Sequence, residues 1–168
     1  KLETVKIDNI SPTLGASFVR NALLAGGLAL LAVAIVLLLR YRSLKIVIPS
    51  LIIMLSETFL ILGAAALLRF SLDLAAIAGI IAAVGTGVDD QIVIIDEVRK
   101  GGTALSKSDW KRRVKRAFFI VLVAYATTVA AMIPLFVAGA GLLTGFAFST
   151  IVGVTLGVFV TRPALASL

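Results

Sequence analysis

Residues 117–161 read AFFIVLVAYATTVAAMIPLFVAGAGLLTGFAFSTIVGVTLGVFVT, a run of 45 residues without a charged side chain. A membrane-spanning helix needs about 20 apolar residues to cross a hydrocarbon core of roughly 30 Å. The run is too long for one such helix, and Gly139 and Gly141 interrupt it near its middle. It therefore predicts two spans, at residues 117–138 and 142–161.

Three further apolar runs precede this one and predict spans A, B and C at residues 21–39, 46–68 and 74–98. The long run then supplies spans D and E. The chain is 60% hydrophobic and 15% charged, with a mean hydropathy of +1.12, which excludes an ordinary soluble domain. These features predict an all-α membrane protein with a five-helix transmembrane bundle.

The composition also limits the chemistry that the chain can perform. The 168 residues contain no cysteine and no histidine, which excludes disulfides, thiol catalysis, histidine-based triads and the usual zinc sites. Hydrolase and nucleotide-binding motifs are absent as well. We therefore expect no enzymatic activity, no metal and no cofactor.

The basic residues indicate how the chain is oriented in the lipid bilayer. The net charge is +7, and the positive side chains lie between the apolar runs, which favours a topological role over nucleic-acid binding. The A–B loop and the segment 99–116 are strongly basic, whereas the other two loops are not. Because cytoplasmic loops carry the excess of Lys and Arg, the N-terminus is predicted outside and the C-terminus in the cytoplasm.

Two parts of the chain lie outside the five spans. Residues 1–20 are mixed and polar, and we expect them to be the extracytoplasmic tail of a truncated outer domain, with residues 21–168 forming the transmembrane domain. In the basic segment, Ser106 and Asp109 have capping-box spacing and precede Trp110, which predicts a short interfacial helix. This segment is either a plain determinant of topology or a docking site.

Acidic residues inside the spans are the strongest candidates for function. Glu57 falls at the middle of span B, and Asp89 and Asp90 fall at a similar depth in span C. Each costs several kcal/mol in the hydrocarbon, by insertion scales about 2.5–3.5. No basic residue is predicted at that depth, so the neutral form should be favoured, as in a proton relay. Alternatively, a partner subunit supplies an arginine, or the acids only hydrogen-bond neighbouring helices.

Uncharged polar residues are predicted to complete a polar layer at that depth. Spans D and E contribute Tyr125, Thr127, Thr128, Ser149 and Thr150, the first three as supporting residues of the relay. Span A contributes none, so we expect it to be peripheral and lipid-facing. Small residues recur at every fourth position of span C and as a GxxxG in span E, which predicts close helix contact; they are Ala75, Gly79, Ala83, Gly87, Gly153 and Gly157.

Residues 85–99, GTGVDDQIVIIDEVR, resemble the fourth transmembrane segment of the SecD branch of the SecD/SecF family, and more closely its archaeal form. Further short motifs are similar to that branch in order and spacing: Pro12-Thr13-Leu14-Gly15, Leu72-Asp73-Leu74, Ala78-Gly79, Lys115-Arg116-Ala117-Phe118, Thr127-Thr128, Gly145-Phe146-Ala147 and Thr161-Arg162. The resemblance covers nearly the whole chain.

The resemblance implies the six-helix transmembrane fold that forms one half of a protein of the resistance-nodulation-division superfamily. Spans A to E would be the second to sixth, and the first helix and most of an outer domain would be missing. Such proteins assist the Sec translocon in export together with SecF, in bacteria by coupling proton flow to domain movement. Asp89 would occupy the position of the proposed proton carrier, and Asp90 would align with the equivalent acid of SecF. Glu57 departs from the bacterial pattern, in which a neutral residue is usual.

Three functions follow as hypotheses. The first is an accessory subunit of the Sec protein translocase in the cell membrane, coupled to proton flow through Asp89, Asp90 and Glu57. Its partners would be a SecF-like subunit, the translocon, translocating protein substrates and the lipid bilayer. The second is a proton-coupled exporter of lipids or small molecules from the same superfamily. The third is a structural translocon partner without proton chemistry.

Overall fold

The computed structural model of the chain describes residues 12–100, 107–138 and 142–167, and in this part of the chain only helices and short turns occur. The helices are α1 (Pro12–Tyr41), α2 (Leu44–Leu67), α3 (Leu74–Arg99), α4 (Lys107–Val137), α5 (Leu142–Leu156) and α6 (Arg162–Ser167), with a π-helical turn at Gly157–Thr161 between the last two. Five spans are long and apolar enough to cross a membrane, the fifth running through α5, the π-turn and α6 (Leu143–Ala166). The predicted all-α fold with five membrane helices is confirmed.

Three helical spans extend at least five residues beyond the predicted bounds at one end. Helix α1 begins at Pro12 instead of residue 21, because a proline suits the first turn of a helix and Arg20 does not interrupt one. Helix α4 begins at Lys107 and continues to Val137, so a separate interfacial helix is wrong, and Ser106 of its capping box lies outside the described residues. The fifth span continues five residues past 161, which places Arg162 inside it.

Tight turns connect the first three helices. Arg42, in the loop after α1, has a φ of 48°, and Arg69, after α2, has a φ of 52°. After α2, Phe70 N–H donates to Ala65 O at 2.9 Å and Arg69 N–H donates to Ala66 O at 3.1 Å, the pattern of a Schellman motif. Connections this short place consecutive helices side by side in antiparallel directions.

Helix α3 begins with a side-chain cap. Asp73 Oδ1 accepts a hydrogen bond of 2.7 Å from Ala76 N–H, which satisfies one backbone donor of the first turn. We expect Asp73→Ala to lower the free energy of unfolding by about 1 kcal/mol. Asp73→Asn keeps an acceptor oxygen and should cost less. Unfolding of the detergent-solubilised protein measures both variants, and equal losses would contradict the capping role.

The closest packing in the bundle is between α3 and α5. A Cβ at Gly79 would lie 2.6 Å from the Phe146 carbonyl oxygen, and a Cβ at Gly153 would collide with the side chain of Ala83. The close contact predicted from the small residues is therefore confirmed. Helix α3 also contacts α1, α2 and α4, so it lies at the centre of the bundle.

Helices α1 and α4 lie at the periphery. Only 6% of the most apolar stretch of each is buried, against 44% for α3 and for the fifth span. Helix α1 contacts its neighbours mainly through its last two turns, where Leu37 and Tyr41 are buried against Val47 and Val88. The predicted peripheral position of span A is confirmed, and α4 shares it.

Candidate functional site

A buried ion pair joins α2 to the fifth span near the middle of the bundle. The Arg162 guanidinium donates from Nη1 to Glu57 Oε2 at 2.7 Å and from Nη2 to Oε1 at 3.3 Å, and both side chains are 1% exposed. Two parallel hydrogen bonds from a guanidinium to one carboxylate form a strong, directional pair. The expectation that the acids have no counter-charge within this chain is therefore wrong.

The π-turn explains how Arg162 reaches Glu57. In a regular α-helix, successive residues are about 100° apart, so Gly157 and Arg162 would point about 140° apart. In the π-turn, Arg162 N–H donates to Gly157 O, five residues back, which places the two residues one above the other. Both then face Glu57. π-turns of this kind are frequent at functional sites.

Two glycines and a hydroxyl group complete the surroundings of this pair. A Cβ at Gly87 would lie 2.6 Å from Arg162 Nη2, and a Cβ at Gly157 would lie 2.8 Å from Glu57 Oε1. The Thr161 hydroxyl lies 3.2 Å from Glu57 Oε2 and accepts a hydrogen bond of 2.6 Å from Arg162 Nη1. The absence of side chains at the two glycines makes room for the charged groups.

The two adjacent aspartates of α3 have different surroundings. Asp90 is half-buried, and its Oδ2 lies 3.6 Å from Arg162 Nε, which has no hydrogen-bond partner among the described residues. Asp89 is exposed on the side that faces α4. Neighbouring residues of a helix point about 100° apart, so the two carboxylates cannot face the same partner. We call Glu57, Asp90, Thr161 and Arg162 the charge cluster.

A small cavity of about 120 Å³ opens beside the charge cluster. Its walls come from α3, α4 and α5 and consist of Thr86, Asp89, Asp90, Ala124, Tyr125, Thr128, Val154 and Val158. It brings both aspartates together with two of the three predicted supporting residues. The cavity gives the carboxylates polar neighbours at a depth where lipid would offer none.

The supporting residues make mostly local contacts. Thr127 is exposed, and Thr127 and Thr128 both donate to Ala124 O in their own helix. Tyr125 accepts a hydrogen bond of 3.4 Å from Thr155, so it contributes a polar contact between α4 and the fifth span. Neither threonine of α4 hydrogen-bonds a carboxylate within the described part of the chain.

Ser149 and Thr150 do not belong to the layer in which they were predicted. Thr150 lies 3.5 Å from Gly79 O, and Gly79 is eleven residues before Asp90 on α3. At 1.5 Å per residue this separates them from the charge cluster by roughly 16 Å. The predicted layer therefore divides into two levels, and only the level of Glu57 and Asp90 contains charge.

Sequence reasoning missed three buried residues besides Arg162: Thr161 of the charge cluster, Gln91 and Ser50. Gln91 and Ser50 are fully buried, and their side chains have no hydrogen-bond partner among the described residues. Gln91 lies one turn beyond Gly87, and Ser50 lies two turns from Glu57 on antiparallel α2, so both are at the same side of the charge cluster. Buried polar groups cost free energy when unpaired, which makes these two candidates for function.

With this geometry described, comparison with known proteins identifies the family. The sequence model of "Protein export membrane protein SecD/SecF, C-terminal" matches residues 1–162. The chain belongs to the SecD/SecF family. A SecD/SecF chain of this kind is a membrane protein, in agreement with its five apolar spans.

Curated relatives in the SecD/SecF family carry names from protein export. The chain is 50% identical to the "Protein-export membrane protein SecD" of Methanothermobacter thermautotrophicus and 51% identical to that of Methanocaldococcus jannaschii. Each match covers 99% of this chain but only 42% and 41% of the relatives. The "Protein translocase subunit SecD" of Borreliella burgdorferi is 33% identical over 92% of this chain and 27% of its own length. The resemblance to an archaeal-type SecD, predicted from the sequence motifs, is thus confirmed.

Proposed function

We propose that this chain is the membrane domain of an accessory subunit of the Sec translocase, which assists protein export by coupling it to proton flow. The names of the relatives support the role in export, and they favour it over the export of lipids or small molecules. The same names describe no enzymatic activity. The charge cluster supports the coupling and is the observation on which the proposal rests.

The charge cluster offers a site at which gain or loss of one proton changes helix packing. Arg162 lies between two carboxylates, within hydrogen-bonding distance of Glu57 and 3.6 Å from Asp90. Protonation of either acid removes one ion pair and leaves the guanidinium to the other. Because Glu57 is on α2 and Asp90 on α3, each protonation state favours a different position of the fifth span. This shift would move the outer domain that the SecD resemblance implies.

Asp89 suggests how protons enter the charge cluster and where a partner binds. It is exposed near the middle of a membrane span, at the mouth of the cavity beside Asp90. An exposed carboxyl in the hydrocarbon is costly unless another protein group or water covers it. We propose that a SecF-like subunit packs on this face and that Asp89 passes protons to Asp90. The N-terminal end of α1 would lie outside and the C-terminal end of α6 in the cytoplasm.

A structural role without proton chemistry is the second candidate. It is favoured by the bidentate Glu57–Arg162 pair, which satisfies both groups and is fully buried. In that case, the pair only fixes the position of the fifth span against α2. Export would then be insensitive to neutral replacement of Asp89, which separates the two candidates.

The deciding experiment measures protein export by membrane vesicles that carry the intact protein and its SecF-like partner. Wild type is compared with Asp89→Asn, with and without an imposed proton gradient. We expect Asp89→Asn to lose the gradient-dependent part of export and to keep the remainder. Asp109→Asn, which removes an acid near the start of α4, is the matched control and should behave as wild type.

The result that would overturn proton coupling is equal gradient-dependent export in wild type and Asp89→Asn. A loss of export in both conditions would instead point to misfolding, so the amount of folded variant in the vesicles is measured in parallel. No effect of the intact protein on export in either condition would overturn the translocase assignment itself.

A further inference from the structure

A second charged feature lies where α3 ends and α4 begins, about two helical turns along α3 from Asp90. A cavity of about 260 Å³ is lined by Glu97, Arg112, Arg113 and Arg116. We call it the basic cavity. The lining contains three guanidinium groups and one carboxylate, so the cavity has an excess of positive charge.

The position of the basic cavity along the bilayer normal follows from the sequence around it. Arg116 is the last charged residue before the 45 uncharged residues of the last two spans, so it marks the boundary of the hydrocarbon. Arg112 and Arg113 lie about one turn further from the hydrocarbon. Trp110, 37% exposed, lies beyond them, and tryptophan is enriched at the level of the lipid headgroups. The cavity therefore opens at the depth of the headgroup phosphates.

Glu97 fixes the shape of this cavity. Its side chain is 9% exposed and its carboxylate lies 3.0 Å from Lys100 Nζ and 3.8 Å from Arg116 Nη1. The contact with Arg116 joins α3 to α4 across the intervening loop. Because one carboxylate is shared by two cations, it cannot neutralise the arginines that line the rest of the cavity.

The other two arginines have capacity for an external anion. Arg112 makes an ion pair of 3.7 Å with Asp109, and its side chain is 84% exposed. Arg113 has no ion-pair partner in the described parts of the chain. Guanidinium groups bind phosphate oxygens through two parallel hydrogen bonds, and several of them converging on one cavity favour a phosphate over a single carboxylate.

We propose that the basic cavity binds the headgroup phosphate of an anionic membrane lipid. The depth of the cavity favours a lipid over a free phosphate, because a lipid presents its phosphate at this level. The bound phosphate would take the free donors of Arg112 and Arg113 while Glu97 holds Arg116. The Glu97–Arg116 contact would remain an ionic link between α3 and α4. This inference does not depend on proton coupling.

The test counts lipids retained by the intact protein after extraction from bilayers. The protein is reconstituted with a zwitterionic lipid and an anionic phospholipid, and bound lipids are identified by native mass spectrometry. We expect wild type to retain the anionic lipid selectively and Arg113→Gln to retain about tenfold less, the loss typical of a charged hydrogen bond. Lys115→Gln is the matched control, since it removes the same charge from the same helix outside the cavity.

Three outcomes would overturn the inference. Equal losses in Arg113→Gln and Lys115→Gln would mean that only the general positive charge attracts lipid. Displacement of the lipid by millimolar inorganic phosphate would mean that the cavity takes a free phosphate compound. Absence of selective retention by wild type would mean that the arginines serve another partner, such as an acidic protein segment.

Discussion

Arg162→Met is expected to lower the free energy of unfolding by about 3–5 kcal/mol, because it leaves the Glu57 carboxylate buried without its counter-charge. Both side chains are 1% exposed, so water cannot replace the lost hydrogen bonds without opening the packing of α2 against the fifth span. Asp90 would lose its nearest cation in the same variant. Reversible unfolding by SDS in mixed micelles measures the change.

The double variant Glu57→Gln with Arg162→Met is the control for this first prediction. It removes both charges and should recover most of the lost stability, since no unpaired charge remains. Arg162→Lys keeps the charge but not the planar fork, and we expect an intermediate loss. A double variant no more stable than Arg162→Met alone would show that Arg162 acts through packing instead of through its charge.

Gly79→Val is expected to destabilise the bundle by about 3 kcal/mol, near the upper end for overpacked sites. The new Cβ would lie 2.6 Å from the backbone carbonyl oxygen of Phe146 and 3.0 Å from the Ser149 Cβ. A backbone atom of a neighbouring helix cannot rotate away, so α3 and α5 must separate. Because α3 and the fifth span, which continues from α5, carry three of the four residues of the charge cluster, gradient-dependent export should fall together with stability.

Gly85→Ala is the matched control for the second prediction. Gly85 is in the same helix, is exposed, and has no atom within 4 Å of an added Cβ. Alanine is a better helix former than glycine, so this variant should be neutral or more stable by about 0.5–1 kcal/mol. If both variants were destabilised equally, the cause would be the loss of glycine itself and not the contact with α5.

Much of the fold was predictable because its cause is local. A run of twenty apolar residues predicts a membrane helix. Small residues at every fourth position of α3 predict that this face packs closely against another helix. Both features were predicted from the sequence and are observed. The buried acids could be named for a related reason, since a charge inside an apolar run is visible without knowledge of the fold.

The pairing of those acids could not be predicted, because it depends on where the fifth span ends. An uncharged run of 20 residues suffices to cross the bilayer, so the predicted span ends at residue 161 and leaves Arg162 outside it. In the structure the span continues to Ala166 because Glu57 compensates the arginine. A hydropathy scale assigns each charged residue its own cost of burial in the hydrocarbon. It therefore contains no information on ion pairs between helices.

The same misplaced end explains part of the error at Ser149 and Thr150. The midpoint of a span at 142–161 falls close to these residues, whereas the midpoint of Leu143–Ala166 falls near residue 155. Thr155 is the residue that contacts Tyr125, in agreement with the shifted midpoint. The wrong helix end thus moves the predicted midpoint by about three residues, or about 4.5 Å, which is a minor part of the separation between Thr150 and the charge cluster.

The π-turn at Gly157–Thr161 has a consequence for sequence comparison across the family. A π-turn is equivalent to one residue inserted into an α-helix, and it shifts every later residue by one position relative to the earlier ones. A relative with a regular helix here would present its inward cation four residues after the glycine instead of five. Alignment of this span with such a relative would need a one-residue gap, and an ungapped alignment would assign the arginine a non-equivalent neighbour.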